Sequence, residues 1–172
     1  MKSGQITIFG TFLAYKYKFN FFFNLDIGCA NVSQNNPLEI GGFLIIFSDQ
    51  KLCIGKILAM YENISGKHSY ISRSVNNIDI LSYISLTLFI DVYSGSLFTN
   101  DCRASGKLFA HITPKEVVYY LGKGDSITFQ SNSMLTLADQ SLQIYEILNN
   151  SETREQLTSI FNNQNNSNLD KF

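Results

Sequence analysis

Three segments of the chain carry the strongest pattern of apolar and polar positions. The segment 38–47 is mostly apolar, and the segment 51–61 follows it after the polar residues 48–50. The segment 82–92 alternates Tyr, Ile, Leu and Val with Ser, Thr and Asp. A period of two residues is typical of half-buried strands, and two such runs joined by a short polar turn form a hairpin. Because no long crossover helix separates the segments, we predict that they are neighbouring antiparallel strands of one sheet.

The residues before this sheet are predicted to form an N-terminal arm, residues 1–37. Aromatic side chains occupy every second position from residue 15 to residue 23, which indicates one strand. Residues 29–37 are rich in Asn, Ser and Gln and are expected to form a loop. The main domain is then expected to span residues 38–161.

A helix start is predicted at Thr113, which is followed by Pro114 and Glu116. This is the order of a capping residue, a proline at the first helical position and an acid that completes a capping box. We therefore expect the Thr113 hydroxyl to accept a hydrogen bond from the backbone N–H of Glu116. The helix should run for about two turns and end before Gly122, which suits the left-handed position after a helix.

The C-terminal part is expected to contain two closing strands and further helical turns. Residues 125–130 and 134–137 read as the strands, and apolar residues in 138–148 approach helical spacing. Residues 152–161 add another helical turn or two. The tail, residues 162–172, is rich in Asn and nearly free of apolar residues, so we expect it to be disordered.

Composition places the chain among ordinary globular domains. It has 172 residues, of which 45% are hydrophobic, and its formal net charge is −1. A domain that binds nucleic acid mainly by charge is usually strongly basic, so the sequence gives no strong nucleic-acid signal. The apolar run at residues 19–23 is too short for a membrane helix, which needs about 20 residues. Three widely spaced cysteines favour a reducing, intracellular compartment, nuclear or cytoplasmic.

The candidate chemistry is sparse. The two histidines and three cysteines do not have the spacing of a zinc site, and no Gly-x-Ser-x-Gly nucleophile motif is present. The acidic residues are scattered singly, so no carboxylate pair is indicated for acid–base catalysis. His111 lies in an apolar stretch and is interpreted as a structural histidine. We therefore predict no catalytic residues, no metal and no cofactor, and we expect that the protein is not an enzyme.

Several segments resemble the bromo-adjacent homology (BAH) domain, a module of chromatin proteins. The resemblance lies in the sequences LEIGGF at 38–43, IGKILAMYE at 54–62, KLFAHI at 107–112 and VVYYLG at 117–122. It implies a mainly β fold, with an SH3-like β-barrel core and short helices at the C-terminal side.

A second resemblance is to degenerate proteins that are encoded beside mobile elements in fungal genomes. It lies in the sequences GKILAMY at 55–61, LSYISL at 81–86 and LFAH at 108–111. This resemblance implies a fragment derived from a mobile element, without present activity.

The function expected from these observations is that of a non-catalytic recognition module, which binds a chromatin protein or another protein or peptide. In the resembling family, aromatic binding residues lie at the ends of the first strands. The matching residues here are Tyr61 and Glu62, and Tyr93 is expected to face them across the mouth of the barrel. Methylated lysine is the ligand that such a site would hold. The alternatives are a small hydrolase or small-molecule-binding protein, and the relic without activity.

Overall fold

A computed structural model of the protein describes residues 5–14, 17–26, 30–102 and 106–166. In these residues the chain is mainly β. The strands, in chain order, are β1 (Gln5–Ala14), β2 (Tyr17–Asp26), β3 (Phe43–Ser48), β4 (Lys51–Ile64), β5 (Lys67–Ile71), β6 (Leu81–Asp91), β7 (Phe98–Thr99), β8 (Asp101–Cys102), β9 (Gly106–Lys107), β10 (Phe109–Ile112), β11 (Val117–Gly122), β12 (Ile127–Ser131) and β13 (Met134–Leu137). Two helices come after the strands, α1 (Asp139–Asn149) and α2 (Ser151–Asn166).

The main sheet is antiparallel and curled into a half-barrel, with the strand order β11-β3-β4-β6-β7-β13-β12. Strand β5 pairs with β4, and β10 pairs with β6. The three central strands, β3, β4 and β6, are the ones predicted to be neighbours, and that prediction is confirmed. The predicted fold class, a mainly-β, barrel-like fold with helices on the C-terminal side, is also confirmed.

Each face of the curled sheet buries its own core, because successive side chains of a strand point to opposite faces. Phe43, Ile45 and Phe47 of β3 enter a core that also contains residues of α1 and α2, which we call the helix-side core. Leu44 and Ile46 of the same strand enter a second core, which we call the loop-side core. Both cores are made of side chains that are almost fully buried, each of which contributes about 1.5–3 kcal/mol relative to an exposed position.

The helix predicted after Thr113 is wrong. A single 3-10 turn, Pro114–Glu116, is followed directly by strand β11. The residues that indicated a helix start interact within that turn. The Glu116 carboxylate accepts hydrogen bonds from the N–H of Thr113 at 2.8 Å and from the hydroxyl of Thr113 at 3.1 Å. The Glu116 N–H donates to the Thr113 carbonyl oxygen at 3.1 Å. Val117 and Val118 then enter opposite cores, which requires the period of a strand.

The C-terminal elements agree with the predictions, and most of them have different bounds. The closing strands β12 and β13 are confirmed, and so are the C-terminal helices. Helix α2 continues to Asn166, five residues into the segment expected to be disordered, and no Pro or Gly occurs within it to end it earlier. Residues 167–172 lie outside the described part.

The N-terminal arm contains two strands where one was expected. Strand β2 matches the described part of the aromatic segment, and β1 pairs with it antiparallel from Gln5↔Asp26 to Ala14↔Tyr17. Residues 15 and 16 lie outside the described part. The main sheet begins at Phe43 rather than at residue 38, because Leu38 forms only an isolated bridge with Val75.

Candidate recognition surface

Five aromatic side chains lie together on the part of the main sheet that extends beyond the helix-side core. We call this set the aromatic surface; its members are Tyr61, His68, Tyr70, Tyr83 and His111. The pairing register brings them together, because Tyr61 of β4 lies opposite both Tyr70 of β5 and Tyr83 of β6. His111 of β10 lies opposite Ser85, two residues along β6 from Tyr83. Both histidines and Tyr70 are exposed, and Tyr61 and Tyr83 are half-buried.

The rings of the aromatic surface contact one another in one connected group. Tyr61 and Tyr83 are stacked, with ring centroids 4.5 Å apart and an interplanar angle of 24°. Tyr70 meets the edge of Tyr61 at 6.1 Å. His68 and His111 meet the ring of Tyr83 at 5.0 Å and 5.9 Å, both in edge-to-face arrangements. Aromatic pairs at these distances contribute about 0.5–1.5 kcal/mol beyond their buried area, so the rings hold one another in place.

Both histidine rings are also anchored to serine hydroxyls. The Nδ1 atom of His68 lies 3.0 Å from the Ser82 hydroxyl, which itself donates to the Tyr61 carbonyl oxygen at 3.0 Å. Since a hydroxyl has one proton to donate, Nδ1 of His68 is the donor to the Ser82 hydroxyl. The Nδ1 atom of His111 lies 2.8 Å from the hydroxyl of Ser85. His111 is exposed, and its structural role stays a prediction.

A bulge in β4 sets which residues face outward. The pairing of β4 with β6 shifts between Ile57 and Ala59, and the inserted Leu58 is 43% exposed. Ile57 and Met60 therefore both enter the loop-side core, although they are three positions apart in the strand. Tyr61 is then left on the outer face, as an extra residue in a strand reverses the alternation of the positions after it.

Lys56 lies beside the aromatic surface, on the side toward the helix-side core. The Nζ atom of Lys56 lies 5.9 Å from the ring centroid of Phe43 and 5.6 Å from that of Phe129. Lys56 pairs with Thr87, which in turn pairs with Phe109, and the Phe109 side chain is 63% exposed. A cation and exposed phenyl rings thus border the aromatic surface on one side.

Two of the three predicted site residues are neighbours on β4, and the third lies in the turn after β6. Tyr61 belongs to the aromatic surface, and the neighbouring Glu62 forms an ion pair with Arg73 at 3.2 Å. Tyr93 is 74% exposed, in the turn after β6. Tyr83 lies near the start of β6, and Tyr93 follows the end of the same strand. The binding roles of these residues stay predictions.

The sequence contained signals for the members that were missed. Tyr83 lies in the segment 82–92, which was predicted to be a strand, but the placement of Tyr70 and Tyr83 beside Tyr61 depends on the bulge at Leu58. His68 and His111 were considered only as metal ligands, catalytic residues or structural residues. Their pairing with serines across strands is set by the register of the sheet, and the register cannot be read from the spacing of residues along the chain.

The described residues lack the arrangement that is typical of metal binding. They contain no group of three or more His, Cys, Asp or Glu side chains that could hold a metal ion. A Ser–His pair becomes a nucleophilic centre when a third group orients the base and oxyanion donors face the nucleophile. Ser85 and His111 instead lie side by side on the open face of a sheet.

A cleft of about 840 Å³ lies between the β3–β4 turn, the Pro114–Glu116 turn and the end of α2. Its acidic side chains include Asp49, Asp79 and Glu116. The carboxylate of Glu116 is already hydrogen-bonded to Thr113 and lies 3.4 Å from the Ser48 hydroxyl.

Among the described helices, none is long and apolar enough to span a membrane.

Comparisons of the chain with protein-family models, with curated proteins and with solved structures find no match.

Proposed function

We propose that the protein is a non-catalytic recognition module that binds a protein or peptide partner through the aromatic surface. The observation that carries the proposal is the stacked pair Tyr61 and Tyr83, with an anchored histidine against Tyr83 on each side. Rings that are already held in place lose little conformational freedom when a partner covers them, so more of the contact energy appears as affinity.

The composition of the surface supports a protein ligand. Tyrosine is enriched among the residues that dominate binding energy at protein interfaces, since it has a large apolar ring and a polar hydroxyl. The open face of a sheet suits a chain segment better than a small molecule, which is normally enclosed in a concave pocket. A chromatin protein remains the partner that the family resemblance favours.

Methylated lysine is one ligand chemistry within this proposal. A cation over the face of a tyrosine ring contributes about 0.5 to 2 kcal/mol, depending on how completely it loses its water. The exposed ring of Tyr70, at the edge of the stacked pair, offers a face to such a cation.

The test combines a selection with a titration. A phage-displayed library of linear peptides is selected against the full chain, and methylated and unmodified histone-tail peptides are titrated in parallel by calorimetry. Peptides that bind are then titrated into the variants Tyr61→Ala and Tyr70→Ala. We expect losses of at least about 2 kcal/mol for Tyr61→Ala, or roughly 30-fold in Kd, because central aromatic residues dominate such interfaces.

Tyr93→Ala is the comparison variant that separates the aromatic surface from the role predicted for Tyr93, because it removes an exposed tyrosine at the far end of β6. It should leave Kd within twofold of the original value. Two results would contradict the proposal: no peptide binds at millimolar concentration, or Tyr93→Ala weakens binding as much as the two surface variants do. The far-UV circular dichroism of each variant establishes that it is folded.

A further inference from the structure

Strand β10 is an edge strand beside the aromatic surface. One of its edges pairs with β6, from Phe109↔Thr87 to Ile112↔Ile84. In the part of the chain that the structure describes, no strand pairs with its other edge. The side chains of Phe109 and His111 lie on the outer face, opposite Thr87 and Ser85.

The hydrogen-bonding pattern shows which backbone groups point to the open edge. The N–H of Leu88 donates to the carbonyl oxygen of Leu108 at 2.9 Å. In an antiparallel pair such bonds recur at every second residue, so Ala110 and Ile112 also direct their backbone groups to β6. The N–H and C=O groups of Phe109 and His111 therefore point away from β6. Among the described residues these groups have no backbone partner.

The four residues of β10 themselves carry none of the usual protection against strand addition. Proteins normally block open edges with lysine, proline or a bulge, because unpaired backbone groups attract other strands. Strand β10 reads Phe-Ala-His-Ile, and its pairing with β6 has no register shift. The other edge strand beside the aromatic surface, β5, begins with Lys67.

We propose that an extended segment of the partner protein adds to the sheet as a strand along β10, an inference that rests on the proposed function. The backbone of an extended peptide offers N–H and C=O groups at the same two-residue spacing as those of Phe109 and His111, which makes it complementary to this edge. Its alternate side chains lie beside Phe109 and His111 and continue the aromatic surface. The length of β10 limits the added strand to about three to five residues.

The experiment uses the peptides selected in the preceding test and the pair of variants Phe109→Pro and Phe109→Ala. Both variants lose the phenyl ring, but only proline also loses the outward N–H. Proline is tolerated in edge strands at positions where the N–H points away from the sheet. We expect at least a tenfold higher Kd for Phe109→Pro than for Phe109→Ala, with the folded circular dichroism spectrum retained in both.

A scan of the peptide itself gives an independent measurement. Each backbone nitrogen of the peptide is methylated in turn, which removes one hydrogen-bond donor and leaves the protein unchanged. An added strand directs every second N–H to β10, so methylation should raise Kd at least tenfold at alternate positions only. If Phe109→Pro fails to fold, this scan decides the question.

Several outcomes would overturn the inference. Strand addition is excluded if the two Phe109 variants bind with equal affinity and the methylation scan shows no alternation. The proposed function still stands in that case if Tyr61→Ala weakens binding. A library that yields no binding peptide would overturn both. A dimer of the chain that Phe109→Pro dissociates, detected by light scattering, would make a second copy the occupant and contradict a partner strand.

Discussion

Replacing Tyr145 by Phe removes a single hydroxyl from the helix-side core and tests how the turn after β6 is held. The Tyr145 ring is 2% exposed and meets the ring of Phe98 at 5.0 Å. Its hydroxyl donates to the carboxylate of Asp91 at 3.2 Å. The same carboxylate accepts the backbone N–H of Tyr93 at 3.0 Å and that of Gly95 at 2.7 Å. Helix α1 is thereby connected to the turn through one acidic side chain.

The expected loss of stability depends on whether the acceptor of this hydrogen bond is charged and on how exposed it is. A bond to a charged group contributes about 1.5–3 kcal/mol, and a neutral one about 0.5–1.5 kcal/mol. Asp91 is half-exposed and keeps two backbone donors in the variant, so the lower part of the charged range applies. We expect Tyr145→Phe to lower the free energy of unfolding by about 1.5 kcal/mol, or Tm by roughly 3–6 °C for a chain of this size.

Urea unfolding followed by far-UV circular dichroism measures the effect as a shift of the midpoint at an unchanged m value. Tyr93→Phe is the control, because Tyr93 is 74% exposed, and it should change stability by less than about 0.5 kcal/mol. If Tyr145→Phe is as stable as Tyr93→Phe, the hydroxyl does not stabilise the turn and the reasoning is refuted.

Two further predictions concern packing and pH. Gly55→Ala should destabilise the protein by about 1–3 kcal/mol, since the added Cβ would lie 2.7 Å from Cδ1 of the buried Leu86; an unchanged urea midpoint would argue against this overpacking. Burial, and secondly the charge of Asp91, raises the pKa of the Tyr145 hydroxyl, so above about pH 10 the unfolded chain loses this proton before the folded chain does. The free energy of unfolding should therefore fall as pH rises above about 10, and it should fall less steeply in Tyr145→Phe, as measured by urea unfolding at several pH values.

The central strands could be predicted from the sequence because their apolar runs are long and the turns between them are polar. The face of each residue could not be predicted in the same way. Residues 57–60 read Ile-Leu-Ala-Met, and a run of four apolar residues does not reveal which one is inserted. Gly55 pairs regularly with Leu44 and Leu88, while the bulge lies at Leu58, so the glycine in this strand does not mark the bulge. Tyr61 was therefore identified without its neighbours on the surface.

The error at β11 has a different physical origin. The signals at Thr113, Pro114 and Glu116 describe a local preference that one 3-10 turn satisfies. Burial decides the conformation of the residues after that turn, because Val117 and Val118 find separate cores on the two faces of the sheet. Long-range packing of this kind overrides local preference, and it cannot be predicted from a segment of a few residues.

Strand β3 contributes to both cores, with Phe43, Ile45 and Phe47 on one face and Leu44 and Ile46 on the other. Neither core can lose its order without releasing a strand that the other requires, so the domain is built to unfold cooperatively. The stacked tyrosines stand on β4 and β6, and β4 pairs directly with β3. The domain is therefore already folded when the partner binds. The heat-capacity change of binding should then reflect only the surface area that the domain and its partner bury against each other, and should lack the larger change of a domain that folds as it binds.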